Sequence, residues 1–133
     1  MYILIYNICN DRILNAEKVI VLSIASDIIR GHTDAIILAH LCRKDSYGYE
    51  INKSIQTVTG NRYELKEATL YTAFRRLEQA GYISSYWGDE TTGARRRYYT
   101  ITDAGRDAYA QARRDWESAK RLIDSLIRLQ DTP

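Results

Sequence analysis

No stretch of this 133-residue chain approaches the roughly 18 unbroken apolar residues that a membrane-spanning helix needs. The run VIVLSIA (19–25) is too short. The run MYILIYNIC (1–9) has no basic segment before it and is followed by Asn10, Asp11 and Arg12, so it reads poorly as a signal peptide. A cytoplasmic protein is expected, with no membrane partner. Cysteine is scarce: Cys9 and Cys42 stand far apart without a C-x-x-C pair, which fits free thiols in a reducing compartment better than a disulfide scaffold. The only two histidines, His32 and His40, have no clustered cysteine or carboxylate at ligand spacing, so no metal site is expected. They are read as structural residues of a helix or its entry turn. Paired carboxylates, a nucleophile–base constellation and a glycine-rich phosphate loop are all missing, so neither an enzyme nor a cofactor is expected. A dominant charge is missing too. The net charge is +2, and affinity for an anionic partner must come from local clustering rather than from bulk charge.

What is present is tyrosine, 11 against one phenylalanine, whose apolar body and polar tip suit surfaces that touch a partner. The chain is long enough for one domain with an extra helix or tail. Residues 1–26 are rich in isoleucine without a clean period, and a helix from about Asn15 to Ile29 is an option there. From His32 the pattern sharpens. Thr33 is placed as the cap of a helix with Ile37, Leu38 and Leu41 on its apolar face. A second helix starts near Tyr47, with Ile51, Ile55 and Val58 on one stripe, and Gly60-Asn61 ends it. RYEL (62–65) reads as an extended link. A third helix runs from about Lys66 to Ala80 on Leu70, Phe74 and Leu77, and Gly81 stops it. Two strand-prone runs, 82–87 and 95–101, flank a polar centre and read as a hairpin with a longer loop. Ile83, Ser85 and Trp87 share one face of the first strand; Arg97, Tyr99 and Ile101 share one face of the second. Thr102 or Asp103 caps a last helix to about Leu129. On it, Tyr109, Ala112, Trp116, Ala119, Ile123 and Leu126 alternate steps of three and four, and Leu122 widens the stripe. So broad an apolar face needs cover, from its own domain and from a second copy of the same helix.

Three helices, a hairpin and a long helix spell a winged helix-turn-helix, a mainly α fold with a small β-hairpin. In that arrangement the third helix enters the major groove and the wing reaches the neighbouring backbone. Arg95, Arg96 and Arg97 at the wing base would meet phosphates, where counterion release rewards clustered charge. An arginine run on a hairpin also commonly serves only as a solvated edge that blocks strand pairing. Beside it, however, the third helix carries Lys66, Glu67, Thr69, Tyr71, Thr72, Arg75 and Arg76. Arginine takes guanine bidentately and threonine meets phosphates, bases or the thymine methyl. Tyr47 and Gly48, at the start of the second helix, are further candidates for a phosphate. The expected partner is double-stranded DNA. The competing reading is a winged-helix module that senses a ligand and acts mainly through protein partners.

SYGYEI (46–51), ATLYTAFRRLEQAGYI (68–83) and GARRRYYTITDAGR (93–106) together resemble the PadR family of transcriptional regulators. The resemblance covers about residues 27–129 in the expected order; Thr72 departs from it, standing where many members have proline. It implies a homodimeric repressor on an operator of two inverted half-sites. Residues 27–102 would form the DNA-binding domain, 103–129 the dimerisation helix and 130–133 a tail. The dimer interface would be built from Tyr109, Ala112, Trp116, Ala119, Leu122, Ile123 and Leu126. It also implies an aromatic or hydrophobic small-molecule effector for which Trp116 is the platform, a role compatible with Trp116 simply filling the interface. Residues 1–26 would then be an extension, either a start assigned too far upstream or an added helix that joins the interface.

Overall fold

The computed structural model describes residues 27–88, 93, 95–131 and 133. The expectations for residues 1–26, and part of the polar centre expected between the two strands, lie outside these. The elements follow in the order α1 (Thr33–Arg43), α2 (Gly48–Val58), α3 (Glu67–Gln79), β1 (Ile83–Trp87), β2 (Arg97–Ile101) and α4 (Asp103–Ile127). This is the expected winged helix-turn-helix with a long last helix.

The core forms where the stripes of α1, α2 and α3 converge. Ile37, Leu41, Ile51, Phe74 and Leu77 are its largest fully buried side chains. Ile83 and Tyr99 bring the hairpin into the same cluster. Tyr99 stacks on Phe74 with ring centroids 3.9 Å apart, which ties β2 to α3. β1 and β2 pair antiparallel with Ile83 opposite Ile101, Ser85 opposite Tyr99 and Trp87 opposite Arg97, so the face assignments read from the sequence hold. Ser46 extends the ladder by one bridge: its N–H donates to Tyr99 O at 3.2 Å and its carbonyl accepts from Tyr99 N–H at 2.9 Å.

Gly60, Asn61 and Gly81 adopt φ of 59°, 61° and 79°, which stops α2 and α3 where the glycines and the asparagine predict. Thr102 caps α4 as expected, accepting from Gly105 N–H at 3.1 Å. Two details differ from the sequence reading. Thr33 is the first residue of α1 rather than its cap, and its hydroxyl donates back to Arg30 O at 3.1 Å. A 3₁₀ turn at Arg30–His32 leads straight into the helix, so no extended residue precedes it for a side chain to cap. Val58 is 75% exposed, because α2 runs past the edge of the core there; Leu65 of the following link is buried instead.

Gly105 sits where α4 crosses the start of the hairpin. A Cβ there would lie 2.0 Å from the Tyr82 carbonyl oxygen. Only glycine lets the helix approach this closely, and this contact sets the direction in which α4 leaves the domain.

Candidate nucleic-acid interface

The angle between α2 and α3 is fixed by one side chain. Asn52 donates to Leu65 O and accepts from Leu65 N–H, both at 2.8 Å, and so clamps the turn between the two helices. Gly48 lets them close: a Cβ there would come within 3.1 Å of Leu70 Cδ2. Gly48 is buried, which makes it a packing residue as well as the first residue of α2.

With Leu70, Ala73, Phe74 and Leu77 buried, the opposite stripe of α3 is set by its 3.6-residue period. Ala68, Thr72, Arg75 and Gln79 point outward and are exposed. Two flanks border this stripe. On one, Tyr71 packs edge-on against Phe74, with centroids 6.0 Å apart, next to the start of α2. On the other, Thr69 and Arg76 face the α1 side. Arg76 meets Asp34 of α1 in a two-pronged ion pair, its Nε donating to Oδ2 at 3.1 Å and its Nη2 to Oδ1. That hydrogen bond and the carboxylate charge raise the pKa of Arg76 further, so the guanidinium stays charged. Arg76 is therefore committed to holding α3 on α1, whereas Arg75 is turned outward. Lys66 and Glu67 lie exposed at the N-terminal end of α3, at the cap and first helical positions.

The three wing arginines do not form a row. The strand alternation turns Arg96 and Arg97 to opposite sides. Arg97 shares the face of Tyr99 and turns back toward α3, where its Nη2 donates to Ser85 Oγ at 2.9 Å and to Glu78 Oε2 at 3.3 Å. Arg96 lies over the Tyr47 ring, 4.7 Å from its centroid. Tyr47 in turn meets Tyr98 edge-on at 5.3 Å, and Tyr98 stacks on Tyr86 at 5.6 Å. Tyr86 donates to Asp45 Oδ2 at 2.7 Å, and this bond holds its phenol above the ordinary pKa. The wing root and the start of α2 are thus one aromatic unit that carries Arg96 on its surface. Arg95 is exposed beside it. The sequence reading named Tyr47, Arg96 and Arg97 but missed the ties of Asn52 to Leu65, Asp34 to Arg76 and Glu78 to Arg97, which join residues 13, 42 and 19 apart in the chain.

The part of α4 up to Trp116 packs on its own domain. Ala108 and Tyr109 rest on the core, and Trp116 meets the His32 ring edge-on at 4.8 Å. Between α1 and α4 lies a hollow of about 430 Å³, lined by Ile28, His32, Ile36, Tyr109, Ala112 and Trp116 among others. Beyond it Leu122, Ile123 and Leu126 are half or more exposed, an apolar stripe that nothing among the described residues covers. Ala119 is half-buried between the two regions. Among the described residues no helix is long and apolar enough to cross a membrane, no group of residues could hold a metal ion, and Cys42 is a free thiol.

Comparison with known proteins agrees with this architecture. A family model described as the transcriptional regulator PadR-like family matches residues 37–111. An uncharacterized protein of Lysinibacillus sphaericus is 46% identical over 101 residues, which cover 76% of this chain and 93% of that one. A transcriptional regulator from Clostridium thermocellum is 52% identical with a TM-score of 0.70, over 75% of this chain and 94% of that one. A PadR family transcription regulator from Clostridium difficile is 34% identical with a TM-score of 0.62, over 72% of this chain and 98% of that one. Another PadR family regulator, from Eggerthella lenta, is 30% identical with a TM-score of 0.69, over 89% of this chain and 98% of that one. With the winged helix, the long last helix and the family motifs all in one chain, this protein belongs to the PadR-like family of transcriptional regulators, which are not enzymes.

Proposed function

We propose that the chain is a sequence-specific DNA-binding repressor that works as a homodimer on inverted half-sites and is released by a small aromatic or hydrophobic effector. The observation that carries this reading is the exposed stripe Thr72, Arg75 and Gln79 on α3, standing beside Arg96 on Tyr47. An α-helix fits the major groove, where Arg75 and Thr72 read base edges and Thr69, Tyr71, Lys66 and Glu67 line the approach. Arg96, with Arg95 and the start of α2 at Tyr47 and Gly48, holds backbone phosphates. Phosphate contacts set register and base contacts set sequence, so the two groups have separable effects.

Leu122, Ile123 and Leu126 dock against the same stripe of a second copy, which removes apolar surface from water at about 25 cal/mol per Å². Such a dimer presents two α3 helices related by a two-fold axis, spaced by about one turn of DNA, roughly 34 Å. An effector seated against Trp116 moves α4 relative to the winged domain and changes that spacing. Its hold on DNA weakens by as much as it prefers the shifted arrangement.

Fluorescence anisotropy with labelled DNA from upstream of its own gene, against scrambled DNA at several salt concentrations, tests the core of this reading. A preference of about 10³-fold or more is expected of a specific reader. Equal, steeply salt-dependent binding to every upstream segment tried would instead favour a winged helix that docks on protein partners. Release of the bound DNA by planar aromatic compounds, lost in Trp116→Ala, tests the effector.

A further inference from the structure

A helix of 10–12 Å diameter lying in a groove about 12 Å wide faces a sugar-phosphate backbone on each flank. The wing root and the start of α2 occupy the Tyr71 flank of α3. The Thr69 flank opens onto a hollow of about 610 Å³ whose lining includes Arg30, Tyr63, Lys66, Thr69 and Thr72. We propose that Arg30, Lys66 and the Tyr63 hydroxyl form a second phosphate clamp, which grips the DNA strand opposite the one held by Arg96. This rests on the DNA-reading role of α3 proposed above and adds Arg30 and Tyr63 to its contacts.

The charge balance of the hollow favours an anion. Arg30, Lys66 and Arg76 line it against one lining carboxylate, Glu64. Glu64 accepts from Gln56 at 2.6 Å, which draws it toward α2. Asp34 is taken by Arg76. Among the described residues the Arg30 guanidinium pairs with Asp27 of its own turn, at 3.7 Å with both side chains more than 70% exposed, a contact that a phosphate readily displaces. Tyr63 is half-buried and packs against the core, which anchors the ring, and its backbone N–H donates to Thr59 Oγ1 at 3.2 Å. Burial raises its phenol above the ordinary value, against the pull of Arg30, so the hydroxyl remains a donor at neutral pH. Arg30 belongs to the turn that enters α1, and α1 is pinned to α3 through Asp34 and Arg76. The clamp is therefore built on the same rigid frame as the reading helix.

The anion could in principle come from DNA or from a free phosphorylated molecule. Position decides for DNA, because Thr69 and Thr72 belong both to the hollow and to the reading helix. The test is the salt dependence of operator binding in the full-length protein. Each lost phosphate contact lowers the slope of log K against log salt by about 0.9. Arg30→Ala should lower it by about one, Arg96→Ala by about one, and the double variant by about two. Arg30→Lys should restore the slope, and an unchanged melting temperature separates lost charge from lost fold. Ethylation interference should map the two variants to phosphates on opposite strands. A normal slope in Arg30→Ala with a reduced one in Arg96→Ala would overturn the clamp and leave the DNA-reading role standing. Saturable binding of inorganic phosphate by the free protein, lost in Arg30→Ala while the operator slope is unchanged, would assign the site to a free anion and equally overturn it. A wild-type protein with no salt-dependent DNA affinity would remove both readings.

Discussion

The carboxylate of Glu78, in the last turn of α3, accepts from Ser85 Oγ at 2.7 Å and from Arg97 Nη2 at 3.3 Å. One side chain therefore bridges α3 to both strands of the wing. Such a tie matters less for stability than for register. Arg97 is half exposed, so the pair contributes about 0.5 kcal/mol. Glu78→Ala should barely move the melting temperature. It should reduce the preference for operator over scrambled DNA, because α3 and the wing no longer share one frame. The freed Arg97 should keep non-specific affinity at least as high. An unchanged preference ratio would mean that Tyr99 on Phe74 alone sets the wing.

Gly105→Ala places a methyl 2.0 Å from the Tyr82 carbonyl oxygen and 2.7 Å from Ile101 Cγ1. The backbone must move, at a cost of about 1–3 kcal/mol, and more if α4 tilts. The gain of about 1 kcal/mol in helix propensity does not offset this. Gly31→Ala meets nothing within 4 Å at its Cβ and should be neutral. Denaturant titration of the two variants checks the contrast. Equal midpoints would show that α4 is not wedged against the hairpin.

The order of elements, the core stripes, the strand faces and the stops at Gly60 and Gly81 were legible because each depends on local period or local φ. The heptad on α4 was legible for the same reason. What it could not show is how the stripe divides: Tyr109 goes to its own core while Leu122 and Leu126 stay bare. That division depends on where α4 crosses the hairpin, which Gly105 sets through a backbone contact with no sequence pattern. The arginines illustrate the same limit. Alternation places Arg97 on the face of Tyr99, but only the packing of that face on α3 turns Arg97 toward Glu78. Arg76 looks like helix surface until Asp34, 42 residues away, is brought beside it.

If the bare end of α4 is a dimer seam, a charge in its middle should split it. Ile123→Asp with Leu126→Asp places two carboxylates where a partner helix would lie, and neither could be buried without several kcal/mol of desolvation. Analytical ultracentrifugation should show a shift from dimer to monomer. Helicity of the winged domain should be kept, since both residues are exposed in the single chain. Operator affinity should fall by the loss of one half-site's contribution. A wild-type protein that sediments as a monomer would refute the seam directly.

Alkaline stability reports on Tyr99. Burial raises its phenol above the ordinary value of 10.0, with Arg97 pulling the other way. The folded chain thus keeps this proton to higher pH than the unfolded chain does. Its contribution is fully present below about pH 10, the unfolded value, and is lost as pH rises through the folded one. The melting temperature of Tyr99→Phe should therefore fall less steeply than that of wild type above this range. Parallel curves would mean that the wing root opens before Tyr99 ionises.

Arg75 and Arg96 should fail in different ways. Arg96 is positioned by an aromatic ring and lies on the wing root, and the proposed reading gives it a phosphate, which carries no sequence information. Arg96→Ala should weaken operator and scrambled DNA by the same factor and lower the salt slope by about one. Arg75 stands at the centre of the exposed stripe of α3. Arg75→Ala should cost about 1–3 kcal/mol on the operator alone, and relax preference at a single base pair in each half-site. Thr72→Val, which keeps the methyl and loses the hydroxyl, should change preference at a neighbouring pair without altering the slope. Selection from randomised half-sites measures the preferences, and titration at four salt concentrations measures the slopes. If Arg96→Ala changes base preference while Arg75→Ala changes only the slope, then α3 does not lie in the groove and the wing is the reading element.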